Sequence, residues 1–223
     1  RIAKNYNCKS VAFTYNDPII FFEYAIDTAK LCREEGIKTI AVTSGFMNPE
    51  PAEEFFKYMD GANIDLKGFS EQFYKKNCLA HIEPVLNTIK YAVNETDCWV
   101  ELTTMLIEGE NDSNEMIKRE CEWILTNLGD CVPLHFSAFF PRYKFSDRKH
   151  TELSTLLRAY SIARDAGLKY VYTGNLTNTE TSATYCKSCN RPVIVRNGYE
   201  LIEYSLSEEG KCIFCNTVCD GRY

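Results

Sequence analysis

Between residues 10 and 175, six short β-type runs alternate with stretches whose apolar residues recur at helical spacing, and that rhythm limits the chain to very few folds. The β-type runs are Ser10–Asn16, Lys38–Thr43, Ala62–Lys67, Cys98–Ile107, Pro133–Phe139 and Tyr170–Thr173. Helical spacing covers Ile19–Glu35, Pro49–Met59, Pro84–Val93, Ser113–Leu128 and Glu152–Ala166, and the first few residues read as the end of another helix. Repeated β–α units with short loops demand a parallel sheet, doubly wound or closed into a full or partial barrel. Neither G-x-G-x-x-G nor a Walker-type loop follows the first run, which removes the usual signs of a dinucleotide or nucleoside triphosphate fold.

Strands covered on both faces should read as nearly continuous apolar runs. Three of these do not, and they break the rule with one parity. Asn63, Asp65 and Lys67 alternate with Ala62, Ile64 and Leu66; Glu101 and Thr103 alternate with Val100 and Leu102; His135 and Ser137 alternate with Leu134 and Phe136. Side chains alternate with period two along a strand, so each polar set points one way. The apolar sets then face the covering helices and the polar sets converge on the other side. In a barrel that side is the interior, and the C-terminal strand ends line the active site. A satisfied Asp65–Lys67 pair in a solvated mouth is the plainer explanation; the cost of burying charge without a task favours a functional one.

Charge narrows the function classes. Lys and Arg total 25 against 31 Asp and Glu, a formal charge of −6, which does not support a nucleic-acid or anionic-membrane grip. The longest apolar runs, such as Val11–Phe13 and Ile19–Phe22, are far too short to span a bilayer. Of 11 cysteines, Cys8, Cys32, Cys78, Cys98, Cys121 and Cys131 are scattered singly, as buried thiols of a reducing cytosol would be. Asn94, Asn111 and Asn175 begin N-x-Ser/Thr triplets, but the cysteine usage speaks for a cytoplasmic protein and against secretion.

The remaining cysteines crowd the C-terminus. Cys186-x2-Cys189 and Cys212-x2-Cys215 form two metal-binding knuckles around a legible hairpin, Val193–Arg196, an Asn197-Gly198 turn, and Tyr199–Leu206. Four thiolates at that spacing predict a four-cysteine zinc ribbon, or rubredoxin-like iron, over residues 176–223. Cys219 leaves open an auxiliary iron–sulfur cluster instead. A segment this small has little core, so the metal would supply much of its folding energy.

Ordered motifs then narrow the barrel. VAFTYNDP (Val11–Pro18), TSGF (Thr43–Phe46), NIDLKGFSEQFY (Asn63–Tyr74), VELTTMLIEGENDS (Val100–Ser113), HFSAFFPRYK (His135–Lys144) and YVYTGN (Tyr170–Asn175) together resemble the radical S-adenosylmethionine (radical SAM) enzymes related to pyruvate formate-lyase activating enzyme. Within that group they are most similar to the radical SAM component of the AmmeMemoRadiSam system. The resemblance implies an α/β fold, a partial (β/α)6 TIM-like barrel over residues 1–175. It also implies a [4Fe–4S] cluster that cleaves S-adenosylmethionine reductively, giving a 5′-deoxyadenosyl radical for hydrogen abstraction. The substrate is unknown, a protein being one candidate, and partner proteins of the same system are implied.

Position by position, the resemblance assigns ligand contacts to Tyr15, Asn16 and Asp17, with the last two accepting from the ligand's ammonium group. It adds Ser44, in a Thr-Asn-Gly-like turn, the Asp65/Lys67 pair, Thr103 and His135. No hydrogen-abstracting residue is implied. One departure matters: C-x3-C-x2-C, the loop that holds the family's cluster, is absent. Cys212, Cys215 and Cys219 spell it in reverse at the far end. The expectation is that the first βα unit, with the cluster loop, belongs upstream of Arg1, and that these residues alone are catalytically silent. Two rivals stand beside this reading. One is an inactive barrel that docks a partner through its ribbon. The other is a Schiff-base lyase using Lys67, which the adjacent Asp65 disfavours by stabilising the charged amine.

Overall fold

The computed structural model describes residues 1–223. Six parallel strands pair in chain order: β1 (Ser10–Phe13), β2 (Lys38–Thr43), β3 (Gly61–Asp65), β4 (Trp99–Leu106), β5 (Leu134–Ala138) and β6 (Val171–Gly174). β1 and β6 do not pair with each other, so the curved sheet stays open as a partial barrel. The helices in chain order are α1 (Ile2–Asn5), α2 (Phe22–Glu34), α3 (Pro49–Phe56), α4 (Glu71–Phe73), α5 (Ile82–Asn94), α6 (Asn114–Asn127) and α7 (Leu153–Ala166). A second, antiparallel sheet follows: β7 (Thr184–Tyr185), β8 (Pro192–Asn197) and β9 (Glu200–Tyr204). No helix is long and apolar enough to cross a membrane.

Every expected strand of the barrel is present, and the parity argument holds. Burial alternates residue by residue along β4 and β5. Ile64, Leu102, Leu134 and Phe136 are fully covered, packed in one core with Ile89, Ile117, Ile124 and Leu156 of the helices. Removing that apolar surface from water is the main stabilising term, roughly 25 cal/mol per Å². Local signals set the helix starts. Pro49 opens α3, and the Ser113 side chain accepts from Met116 N at 3.2 Å to cap α6.

The differences from expectation lie at element ends. β1 stops at Phe13, before Tyr15, whose φ is 70°, a conformation a bulky residue adopts only under constraint. Asp17 then caps a 3-10 turn, Pro18–Phe21, that precedes α2. β3 ends at Asp65, so Lys67 sits just past the strand. The stretch expected to be irregular holds α4 running into a π-helical turn, Tyr74–Cys78. α5 begins at Ile82, which puts Pro84 in its first turn, where no intrahelical N–H is needed. In the second sheet Asn197 pairs with Glu200, so the turn residues are Gly198 and Tyr199, one later than read. Gly198 has φ 58° as the first of them, the position where a II′-type hairpin requires glycine.

The C-terminal tail of the ribbon docks at the N-terminal ends of the barrel strands. Tyr170, just before β6, donates its hydroxyl to Asp220 at 2.9 Å and accepts from the Asp220 amide at 3.0 Å. Arg222 donates to the Asp97 carbonyl, just before β4. The ribbon therefore forms the barrel's floor, opposite the mouth.

Candidate functional site

Strand register decides which polar side chains meet. Asp65 pairs in register with Thr103, Thr103 with His135 and His135 with Tyr172, a continuous inner-face row across four strands. Asn63 and Glu101 form the row below, about 7 Å nearer the floor by strand rise. The expected six residues share the inner face but divide into two hydrogen-bonded groups.

The upper group is built on Asp65. Its carboxylate accepts from Lys67 Nζ on one oxygen and from Asn63 Nδ2 at 3.1 Å on the other. Thr103 Oγ1 donates to Asn63 Oδ1 at 2.6 Å, which fixes the amide's orientation. The Lys67 ammonium has two further protons and its side chain is 38% exposed, so it is held and still able to receive an anion.

The lower group is built on Glu101. One carboxylate oxygen lies 2.8 Å from His135 Nε2 and the other accepts from Trp99 Nε1 at 3.0 Å. Burial alone would push the Glu101 carboxyl up, but the His135 hydrogen bond and charge, then Trp99 and the more distant Arg196, hold it below the usual glutamate range. The His135 ring stacks on Tyr172 with centroids 4.8 Å apart and planes at 21°.

At the rim the β1 and β2 loops are tied together by Asp17. Its carboxylate accepts from Thr43 Oγ1 at 2.8 Å, Ser44 N at 2.8 Å, Ser44 Oγ at 2.6 Å and Ile19 N at 3.3 Å. Those four donors occupy the carboxylate's acceptor sites, so Asp17 and Ser44 bond to each other in this structure, whereas Tyr15 and Asn16 lie exposed beside them. The turn depends on Gly45, with φ 67° and an added Cβ only 2.8 Å from Ile64 Cγ2. Gly45→Ala should cost about 2 kcal/mol through combined strain and overpacking. Urea unfolding checks this, and an unchanged midpoint would mean that the turn relaxes freely.

Sequence reasoning passed over Asn111, noted only as an N-x-Ser triplet. It is 2% exposed. Its side chain accepts from Ile107 N at 2.6 Å and donates to Lys67 O at 2.7 Å and Met105 O at 2.9 Å, clamping the exits of β3 and β4. A buried amide with three such bonds is no glycan acceptor, and it holds the Lys67 backbone in place.

The C-terminal cysteines converge. The sulfurs of Cys186, Cys189, Cys212 and Cys215 all lie within 4.8 Å of one another, with Cys186–Cys215 at 3.5 Å and Cys189–Cys212 at 3.8 Å. A tetrahedron of thiolates about 2.3 Å from zinc has sulfur–sulfur edges of about 3.8 Å, so the four fit such an ion. Cys219 is outside this set; it is buried beside Val193 and Leu206 in the ribbon's small core. Of the scattered cysteines, Cys32, Cys98 and Cys121 are buried as expected, Cys78 and Cys131 are half-buried, and Cys8 is exposed in the turn before β1. The converging set in the ribbon is the one grouping of three or more thiols, and none forms at the mouth.

A groove of about 1050 Å³ lies at the floor rather than the mouth. On its wall Lys38 bonds Asp60 at 2.8 Å, and Arg33 donates to the Lys57 carbonyl at 2.8 Å.

Comparison with known proteins gives a consistent pattern. The family described as the Radical SAM superfamily matches residues 1–121. An uncharacterized protein of Methanocaldococcus jannaschii is 36% identical over 220 residues, 98% of this chain and 65% of its own length. The 4-hydroxyphenylacetate decarboxylase activating enzyme of Clostridium scatologenes is 29% identical over 120 residues, 52% of this chain and 38% of that protein. The chain thus spans less than two thirds of the length of these curated relatives. Among solved structures, a domain of pyruvate-formate lyase-activating enzyme from Bacteroides vulgatus superposes with a TM-score of 0.63 at 23% identity, covering 74% of this chain and 99% of that one. SuiB of Streptococcus suis, solved with S-adenosylmethionine bound, gives 0.63 at 17% identity, covering 78% of this chain and 41% of that one. Both structural likenesses concern the fold.

Proposed function

Because the chain belongs to the radical SAM superfamily, we propose that the inner face around Asp65, Lys67, Thr103 and His135 binds S-adenosylmethionine for radical chemistry. The donor set suits that ligand. The Lys67 ammonium, oriented by Asp65, pairs with a carboxylate; Asp65 and Thr103 offer partners to ribose hydroxyls; the stacked His135–Tyr172 rings border a flat surface for the base. The observation that carries the reading is the Asp65–Lys67 pair at the exit of β3, its ammonium held and still partly exposed. Tyr15, Asn16 and the Asp17–Ser44 clasp belong to the same reading as the rim that closes over the ligand's amino end. The bound ligand supplies a sulfonium whose one-electron cleavage is the family's chemistry.

A [4Fe–4S] cluster does not fit the residues at this mouth. Three thiolates on one loop are needed, and no three sulfurs converge there. The cluster's ligands are therefore proposed to be residues outside these 223. In the ribbon, the four-cysteine set fits structural zinc, and that is its proposed occupant. Membership of the AmmeMemoRadiSam system, with its partner proteins, and an unknown substrate, a protein being one candidate, complete the proposal.

Calorimetric titration of the chain with S-adenosylmethionine tests the site. Lys67→Ala should weaken binding at least tenfold, about the worth of one charge-assisted hydrogen bond. After anaerobic treatment with iron, sulfide and dithionite, the same chain should yield no 5′-deoxyadenosine. Absence of binding at millimolar ligand would overturn the proposal in favour of an inactive scaffold. Cleavage by these residues alone would move the cluster to the C-terminal cysteines.

A further inference from the structure

One feature of the lower group belongs to neither the mouth nor the metal site. The Tyr172 hydroxyl does not bond within the barrel; it meets Thr184 Oγ1 at 3.1 Å. Thr184 is the first residue of β7 and is 8% exposed. Its hydroxyl also accepts from Arg196 Nη1 of β8 at 3.2 Å, and Arg196 is close enough to help depress the Glu101 carboxyl. Thr184 stands two residues before Cys186, one of the four converging thiols.

We infer that the ribbon sets the orientation of His135, with Thr184 as the positioning residue that acts through Tyr172. The chain of contacts is continuous. The four-cysteine site fixes Cys186 and hence the two-residue strand β7. β7 presents Thr184 to the Tyr172 hydroxyl, which pins the phenol ring. The pinned ring stacks on the imidazole, and Glu101 holds the imidazole's Nε2 from the side. A tyrosine ring anchored at its hydroxyl cannot swing about its Cα–Cβ bond, so the imidazole stacked on it loses the freedom to swing away from Glu101. Second-layer partners of this kind fix rings at functional sites because an unanchored ring samples several rotamers. Here the anchor comes from a different sheet, one whose folding depends on its metal.

The consequence for ligand binding rests on the proposed role of His135; the positioning itself does not. The test reads the His135 ring protons by aromatic ¹H–¹³C NMR on the zinc-loaded chain, assigned by their loss in His135→Ala. Tyr172→Leu defines the unstacked position. In Thr184→Val, and in wild-type protein stripped of metal by a chelator, the signals should move toward that position. Thr184→Ser should keep them where the wild type has them. Affinity for S-adenosylmethionine should fall about tenfold in Thr184→Val, the worth of the hydrogen bond lost, with zinc content unchanged. Signals that stay put in both Thr184→Val and the stripped protein would overturn the inference. Signals that move, with affinity unchanged in Thr184→Val and in His135→Ala alike, would uphold the positioning and overturn the ligand role of His135.

Discussion

The double variant Cys212→Ser, Cys215→Ser should bind no metal and should lose the folded ribbon altogether. The ribbon's core contains five buried residues: Cys186, Val193, Leu206, Cys212 and Cys219. Two of those five are themselves in the converging four-cysteine set. A core that small cannot offset the backbone entropy of ordering some forty residues. In the proposed site a bound metal would supply that energy, since structural zinc contributes on the order of 10 kcal/mol to folding at neutral pH. Metal analysis should fall from about one ion per chain to none, and amide protection over residues 184–219 should vanish while the barrel helices stay protected. Cys219→Ser is the control, because its sulfur lies outside the set, and it should keep the metal. Full stoichiometry in the double variant would show that the site is elsewhere.

The second large effect comes from a group inside the barrel wall. Glu120 of α6 is 1% exposed, in a helical position otherwise held by Ile117, Cys121 and Ile124. Burial pushes its carboxyl up to about 8, only partly countered by the hydrogen bond to Thr104. The geometry agrees with a neutral acid. Thr104 Oγ1 lies 2.5 Å from Glu120 Oε1 and 2.8 Å from the Leu66 carbonyl, and one hydroxyl proton cannot serve both. If Glu120 is protonated, it donates to Thr104 and Thr104 donates to Leu66, so the chain closes. The native carboxyl thus keeps its proton up to about pH 8, whereas the unfolded one releases it near 4.5. The unfolded state binds fewer protons across that window, so stability from this group is full below pH 4.5 and drains as pH rises to about 8. Glu120→Gln keeps the shape and a donor without the titration. It should match the wild type near pH 4.5 and exceed it by about 3 kcal/mol at pH 7. Urea unfolding followed by the fluorescence of Trp99 and Trp123, at several pH values, measures the gap. A gap that does not widen with pH would mean that Glu120 is ionised in the fold.

Some of this molecule was written locally along the chain. Period-two alternation in β3, β4 and β5 is a covalent consequence of extended backbone, so the sequence alone puts Asn63, Asp65, Thr103 and His135 on the inner face. Cysteine knuckles are equally local, because two thiols three residues apart on one turn can reach one ion wherever the turn sits. The tertiary structure decided what those local facts leave free. Register across strands joined Thr103 to Asn63 and Glu101 to His135, pairs 40 and 34 residues apart. Loop closure turned Asp17 onto Ser44, 27 residues away, and folded Asn111 back onto Lys67. Nothing local distinguishes Glu120 from the other charges of α6, and packing alone sets it against Thr104. The ribbon's place at the floor, with Thr184 reaching Tyr172, had no local signature at all. Each of these is a pairing between segments whose own sequences are satisfied many ways, and only burial of both partners against one shared core selects a single one.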